Sequence, residues 1–292
     1  MSASEASHLL QVCLARERWR LPWRGRWWRG GTGEFLGRGT GGALDFEDHR
    51  PYTPGDDLRH LNWLVYGRTG VHTLKVFRPE VSPVMDVVVD VSASMAITPA
   101  KEHCARALLG WAVDSGRADG AAVRVWACGA KGVSPLAFGG ISSLGWESAD
   151  GAHPLPPAWE SVPWRAGGMR VFISDLLWPG DPGPVLDGVA RGAGRAVVFC
   201  PFDGEESEPG WEGTVDLRDC ESSERRVICV NTALQKAYRD AYAAHFSAWE
   251  EAAHGRQIAF VRIPGVVESS DLAENLGRYA WPVGAVEAVG AA

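Results

Sequence analysis

A carboxylate and two hydroxyls recur at alternate positions in the run VVVDVSASM: Asp90, Ser92 and Ser94. A second carboxylate, Asp175, closes the later run VFISD. Both runs open as apolar, β-branched stretches, so both acids are expected at strand ends. Carboxylate and hydroxyl oxygens are hard donors. A small cage of them suits Mg²⁺ or Mn²⁺, which takes one or two carboxylates and keeps several waters. Neither run supplies a nucleophile beside a general base, so the pattern predicts cation binding and does not imply catalysis. The simpler alternative is that Asp90 and the serines only cap the helix that follows.

A denser charged run lies upstream. DFEDHRPYTPGDDLRHLNW, from Asp45 to Trp63, holds five acids, two arginines and two histidines in a chain that is only 22% charged. Pro54 at the second position and Gly55 at the third predict a type II turn. Asp56 or Asp57 is then placed to cap a turn of helix over LRHLNW. Arg50 and Arg59 can pair with the nearby acids, because guanidinium and carboxylate saturate one another's hydrogen bonds. The run reads as a structural and recognition clamp, with Tyr52, Asn62 and Trp63 in it. The catalytic alternative is a metal-dependent hydrolase using Asp48 and His49 as base and orienter, and no HExxH-type spacing supports it. His103, His245 and His254 fall on predicted helices or their ends and read as core or solvated side chains. GRGTGG lacks the preceding strand and the lysine of a phosphate loop.

The elements that must position these groups alternate strand and helix. Residues 4 to 19 predict a helix with Leu9, Leu10, Cys13 and Leu14 on one face. From Ser82 onward, VSPVMDVVVD is a buried parallel strand. KEHCARALLGWAVDSG is a helix with Cys104, Ala107, Leu108, Trp111 and Ala112 as its apolar stripe. AAVRVWAC, GVSPLAF, MRVFISD, RAVVFCP and QIAFVRI are further strands, which place Cys200 in the core. VLDGVARG is a helix. TVDLRD and RRVICV form a hairpin in which Cys229 reads as a small core residue. The longest helix covers 232 to 253, with Leu234, Tyr238, Tyr242, His245 and Trp249 turned inward, and SSDLAENLGRYA closes the fold. This is an α/β, doubly wound, mostly parallel sheet. In the strand order 3-2-1-4-5-6 the crevice between strands 1 and 4 brings Asp90 and Asp175 together.

Bulk properties set the organisation. The net charge is -7, yet residues 1 to 80 hold twelve Lys/Arg against nine acids. That asymmetry predicts an N-terminal β-rich or irregular region over 1–80, the sheet domain over 81–282 and a flexible tail over 283–292. ARERWRLPWRGRWWR packs six arginines and four tryptophans between Arg16 and Arg29. Arg on phosphate and Trp stacking on bases is one reading of it; the other makes the tryptophans anchors on the neighbouring domain. The overall negative charge favours anchors and makes nucleic acid an unfavoured partner. GEESEPGWEG reads as a solvated acidic loop that could touch a partner. No apolar run reaches the length needed to span a bilayer. The first nineteen residues lack the order of a signal peptide, and the six scattered cysteines form no CxxC, so reduced thiols and a cytoplasmic protein are expected.

DVSAS with a later ISD resembles the metal-ion-dependent adhesion site of von Willebrand factor A domains. The resemblance implies that Asp90, Ser92, Ser94 and Asp175 contact a cation directly or through water, leaving a position open to an acidic residue of a partner protein. A threonine normally completes that set. Residues 139 to 168 contain none, and Ser142 is the substitute. GRGTGGALDFEDHRPYTPGDDLRHLNWLVYGRTGVHTLKVFRPE, leading into DVSASM, resembles the bacterial domain-of-unknown-function family 58, DUF58. The likeness extends through FDGEESEP, DLRDCESSE and the long helix. Asn62 stands where that family carries Asp, so it keeps an acceptor and loses a charge. Many relatives carry transmembrane helices, and the absence of one here points to a soluble branch. The resemblance implies a non-enzymatic adaptor or co-chaperone working with a MoxR-type AAA+ ATPase.

Overall fold

The computed structural model describes residues 3–23, 44–54, 56–57, 61–79, 83–130, 132–141, 144–146, 159–222, 224–267 and 271–290. In chain order the elements are α1 (Ala3–Arg18), β1 (Trp19–Arg20), β2 (Leu44–Pro51), α2 (Trp63–Thr69), β3 (Thr73–Pro79), β4 (Val84–Asp90) and α3 (Pro99–Ala118). There follow β5 (Ala122–Gly129), β6 (Gly132–Leu136), β7 (Met169–Ile173), α4 (Pro182–Ala190), β8 (Arg195–Phe202) and α5 (Gly204–Ser207). The chain ends with β9 (Gly213–Arg218), β10 (Arg225–Val230), α6 (Thr232–Gly255), β11 (Ala259–Pro264), α7 (Asp271–Asn275) and β12 (Glu287–Ala288). Two compact units result, residues 30–82 and the remainder.

The larger unit is built on a six-stranded sheet in the order β11-β8-β7-β4-β5-β6. Only β6 runs antiparallel to its neighbour. This is the expected mixed α/β architecture and the expected strand order. β4 lies centrally, and its side chains alternate between two apolar layers, as a strand covered on both faces requires. Met85, Val87 and Val89 face Cys104, Leu108, Trp111 and Ala112 of α3, joined by Val12 and Ala15 of α1 and by Leu272 and Ala273 of α7. Val88 faces the other way, toward Phe172 of β7, Val185, Leu186 and Val189 of α4, and Phe246, Trp249 and Ala253 of α6. Each large apolar side chain so buried contributes about 1.5–3 kcal/mol. Thr98 starts α3 by accepting from the Lys101 N–H at 3.2 Å, with Pro99 at the first helical position.

Several expectations need correction. The inward face of α1 carries Gln11, Val12 and Ala15, while Leu9, Leu10 and Cys13 are exposed. Val12 meets Gly110 of α3, where an added Cβ would lie 3.1 Å from the valine methyl, and this close crossing favours small residues over leucines. Residues 3–23 therefore pack with the sheet instead of forming one region with 44–79. Leu21 is buried and its N–H donates to Ser115 Oγ at 2.8 Å, and the Trp111 indole donates to Trp19 O at 3.1 Å. The expected tail is also ordered into the fold. Ala285 and Val286 are buried, and β12 pairs antiparallel with β1. On α6 the buried residues are Phe246, Trp249 and Ala253, whereas Leu234 and Tyr238 are exposed: the N-terminal half of the helix runs past the sheet. Cys229 is exposed because β9 and β10 form a separate two-stranded sheet.

In the smaller unit β2 and β3 pair antiparallel with a bulge between Phe46 and Asp48. The helix LRHLNW is not seen as such: residues 58–60 lie outside the described residues, Leu61 bridges to Leu74, and α2 begins at Trp63. Among the described residues no helix is long and apolar enough to cross a membrane.

Candidate functional site

Parallel pairing of Val89 with Ile173 sets the carboxyl ends of β4 and β7 side by side, which brings Asp90 and Ser174–Asp175 together. Asp90 is 2% exposed. Its Oδ1 accepts from the Ser92 N–H at 2.9 Å and its Oδ2 from the Ser174 hydroxyl at 2.7 Å. The Ser92 and Ser94 hydroxyls lie 3.1 Å apart. Burial, reinforced by the charge of Asp175, pushes the Asp90 carboxyl up to about 7. Asp175 is held by its backbone: its N–H donates to Met95 Sδ at 3.2 Å and its carbonyl accepts from Cys200 Sγ at 3.4 Å. The next residue, Leu176, is buried with φ at 58°, a left-handed conformation that costs a branched side chain about 1–2 kcal/mol.

Lys101 fills the other side. It leaves the first turn of α3, is fully buried, and donates from Nζ to Asp175 Oδ2 at 2.8 Å and to Glu206 Oε1 at 2.5 Å. Burial opposes the charged ammonium, but Asp175 and Glu206 together outweigh it and hold the lysine protonated. Glu206 is delivered by α5, whose cap Asp203 is fixed by the Thr98 hydroxyl at 2.6 Å, while the Tyr238 hydroxyl donates to Glu206 O at 2.6 Å. From the β9–β10 hairpin, Glu221 Oε1 accepts the Ser94 N–H at 2.7 Å. Asp175 and Glu206 thus meet the Lys101 ammonium, while Asp90 and Glu221 are held by serine N–H and hydroxyl donors.

The fit to a divalent cation follows from this donor set. Asp90, Ser92 and Ser94 supply hard oxygens at one point, and the surplus negative charge favours a cation there. Asp175 shares its Oδ2 with Lys101 at 2.8 Å and adds negative charge beside Asp90. Among the described residues no group of three or more His, Cys, Asp and Glu side chains could hold a metal alone. A bound cation would rely on the serine hydroxyls and water, as Mg²⁺ readily does. Ser142 lies outside the described residues.

The clamp of the smaller unit is formed in part. Arg50 grips Asp56 with both terminal nitrogens, at 2.8 and 2.6 Å. Asp56 also accepts from the Thr53 N–H at 2.9 Å and hydroxyl at 2.7 Å. These bonds hold the Asp56 carboxyl well below its usual range. The Asp56 N–H closes on Thr53 O at 3.1 Å, a four-residue turn with Pro54 in second position, whose expected type II form rests on Gly55 outside the described residues. Asp56 serves this turn; residues 58–60, on which a cap over LRHLNW would rest, lie outside the described residues. Asn62 is the cap of α2, its side chain accepting from the Val65 N–H at 3.4 Å. A cap needs an acceptor and no charge, which accounts for an amide here. Tyr52 lies by His72, with ring centroids 6.2 Å apart. Trp63 is 64% exposed and outside the ionic knot, and Asp57 is exposed. Gly55 and Arg59, like the side chains of Asp48 and His49, lie outside the described residues.

Of the Arg/Trp run, Trp19 and Trp23 turn inward: Trp23 is 7% exposed, and the Trp19 indole donates to Ala273 O at 2.8 Å. They act as anchors. Residues 24–29 lie outside the described residues. Sequence reasoning missed Ser174, Lys101, Glu206 and Glu221. Ser174 could have been found as the hydroxyl next to Asp175. Nothing in the local pattern marks Lys101, whose stem is buried in a helix start.

Residues 48–114 match the family described as Protein of unknown function DUF58, a span that takes in Arg50, Asp56, Asp90, Ser92, Ser94 and Lys101. Among solved structures the chain is similar to the conserved hypothetical protein BatB from Bacteroides thetaiotaomicron, at 12% identity and a TM-score of 0.37, covering 68% of this chain and 98% of that one. It is also similar to an aerotolerance-related membrane protein from Bacteroides fragilis NCTC 9343 with multiple mutations to serines, at 15% identity and a TM-score of 0.37 over the same shares. No curated protein matches.

Proposed function

We propose that this chain is a non-enzymatic docking module of the cytoplasm, with a von Willebrand factor A-like sheet domain. A divalent cation, Mg²⁺ or Mn²⁺, is held by Asp90, Ser92 and Ser94 and offers a coordination position to an acidic side chain of a protein partner. The observation that carries this reading is the buried Asp90 carboxylate beside two convergent hydroxyls, in a cluster where carboxylates outnumber the single ammonium. Docking is favoured over turnover because Lys101 is tied up by Asp175 and Glu206. The likeness to DUF58 over residues 48–114 suggests a MoxR-type AAA+ ATPase as partner.

Calorimetric titration of Mg²⁺ into the wild type and Asp90→Ala tests the site, followed by capture of a MoxR-type ATPase with and without metal. Heat in the wild type, its loss in Asp90→Ala and metal-dependent capture are expected. A wild type that takes up no Mg²⁺, or capture by Asp90→Ala that is undiminished, would overturn the reading.

A further inference from the structure

We infer that Glu221, at the tip of the β9–β10 hairpin, is the second carboxylate ligand of the cation site, so that the cation pins this hairpin to the end of the sheet. The inference rests on the cation reading above and adds a residue to it. Mg²⁺ and Mn²⁺ take one or two carboxylates, and Asp90 is one. Asp175 is the less available second, because its Oδ2 is held by Lys101 at 2.8 Å and its Oδ1 accepts from the Leu177 N–H at 3.4 Å. Glu221 reaches across 127 residues of sequence to put Oε1 2.7 Å from the N–H of Ser94, the residue whose hydroxyl lies 3.1 Å from that of Ser92.

The hairpin's construction fits this role. Among the described residues β9 and β10 pair with each other, and no ladder hydrogen bond ties them to the six-stranded sheet. The flanks stand in solvent, with Val227 69% exposed, while Glu221 and Ser222 at the tip are partly covered. The tip is shaped in advance: Asp219 Oδ1 accepts from the N–H groups of Glu221 and Ser222, both at 2.7 Å, and the Asp219 N–H donates to Glu224 O at 2.8 Å. An exposed arm thus carries one inward carboxylate to the site. A docking partner's acid would have to take the place of Glu221 or bind beside it.

Glu221→Gln separates a ligand from a mere cap, because the amide oxygen still accepts the Ser94 N–H while the charge is lost. Mn²⁺ is titrated into wild type and Glu221→Gln, with water-proton relaxation reporting both affinity and the number of metal-bound waters. Hydrogen exchange over residues 213–230 is followed with and without Mn²⁺, and thermal unfolding in EDTA checks that the variant folds. Removing even an indirect partner of a ligand typically costs about 10–100-fold in metal affinity. Glu221→Gln is therefore expected to bind Mn²⁺ at least about tenfold more weakly, to gain a metal-bound water, and to lose the Mn²⁺-induced slowing of hairpin exchange that the wild type shows. Equal affinity and equal hydration in the two proteins would overturn the inference and leave the cation reading standing. Tighter binding by Glu221→Gln would also overturn it, making Glu221 an obstruction. No Mn²⁺ uptake by either protein would overturn both.

Discussion

Lys101→Met tests the electrostatics of the site most directly. Methionine keeps the length and apolar stem of lysine, so little cavity forms, while the ammonium disappears. The side chains of Lys101, Asp175 and Glu206 are 0%, 3% and 14% exposed. Both carboxylates therefore lose their cation where water cannot replace it. Breaking a buried ion pair from one side costs about 3–5 kcal/mol. Partial access at Glu206 puts the expected loss at about 3 kcal/mol, the lower end of that range. With a urea slope of about 3 kcal/mol/M, that is a midpoint lower by about 1 M at neutral pH, with the slope unchanged. The deficit carries a sign in pH. In the variant Glu206, already raised by burial, loses the ammonium that lowers it, so its folded pKa rises further above the unfolded one. Stability is then retained below the unfolded value and lost as pH rises through the raised one, so the deficit narrows on acidification. A neutral-pH deficit below about 1 kcal/mol, or one indifferent to pH, would refute the view that Lys101 is the counter-charge of this cluster.

Asp86, at the opposite end of β4, receives Arg124 Nε at 2.9 Å and Arg165 Nη2 at 2.8 Å. Burial raises its pKa, but these bonds and the Arg165 N–H together outweigh it and set the carboxyl below its usual value. Its stabilisation is therefore full above the unfolded pKa and fades as pH falls through the lower folded one. Asp86→Asn is expected to cost about 3 kcal/mol at neutral pH and to flatten the acid limb of the stability curve; an unchanged acid limb would count against the pairing. In the smaller unit, Asn62→Ala is expected to weaken α2 by about 1 kcal/mol, while Asn62→Asp stays within a few tenths. Hydrogen exchange at residues 65–69 reads this, and equal exchange in Asn62→Ala and wild type would remove Asn62 as the cap.

What the sequence by itself determined is local and periodic. The β-branched run VVVD reads as a buried strand, and the structure divides its valines by strand alternation, Val87 and Val89 to one layer and Val88 to the other. The apolar stripe of α3 was likewise legible, because Cys104, Ala107, Leu108, Trp111 and Ala112 recur at helical spacing and all are fully buried. Asp90, Ser92 and Ser94 could be named together because one turn carries all three. Asp175 came within reach because parallel strands with right-handed crossovers leave few ways to order a sheet.

Only the tertiary structure decided the rest. Lys101, Glu206 and Glu221 lie in segments with nothing in common along the chain. Their meeting depends on where α3, α5 and the hairpin end in space, and a charge's worth depends on the burial that meeting creates. Leu9 and Leu10 misled because the periodicity of α1 offers more than one apolar face. The close approach of Val12 to Gly110 selected the smaller one. Leu234 and Tyr238 misled for the converse reason: the inward stripe of α6 continues beyond the buried Phe246, Trp249 and Ala253, to where Tyr238 stays exposed while donating to Glu206 O. Residues 283–290 carry little pattern, yet Ala285, Val286 and β12 find a place in the fold through β1, which sequence distance hid. Periodicity says which face of an element is apolar, and only the arrangement of its neighbours says whether that face is covered and which charges are shut in with it.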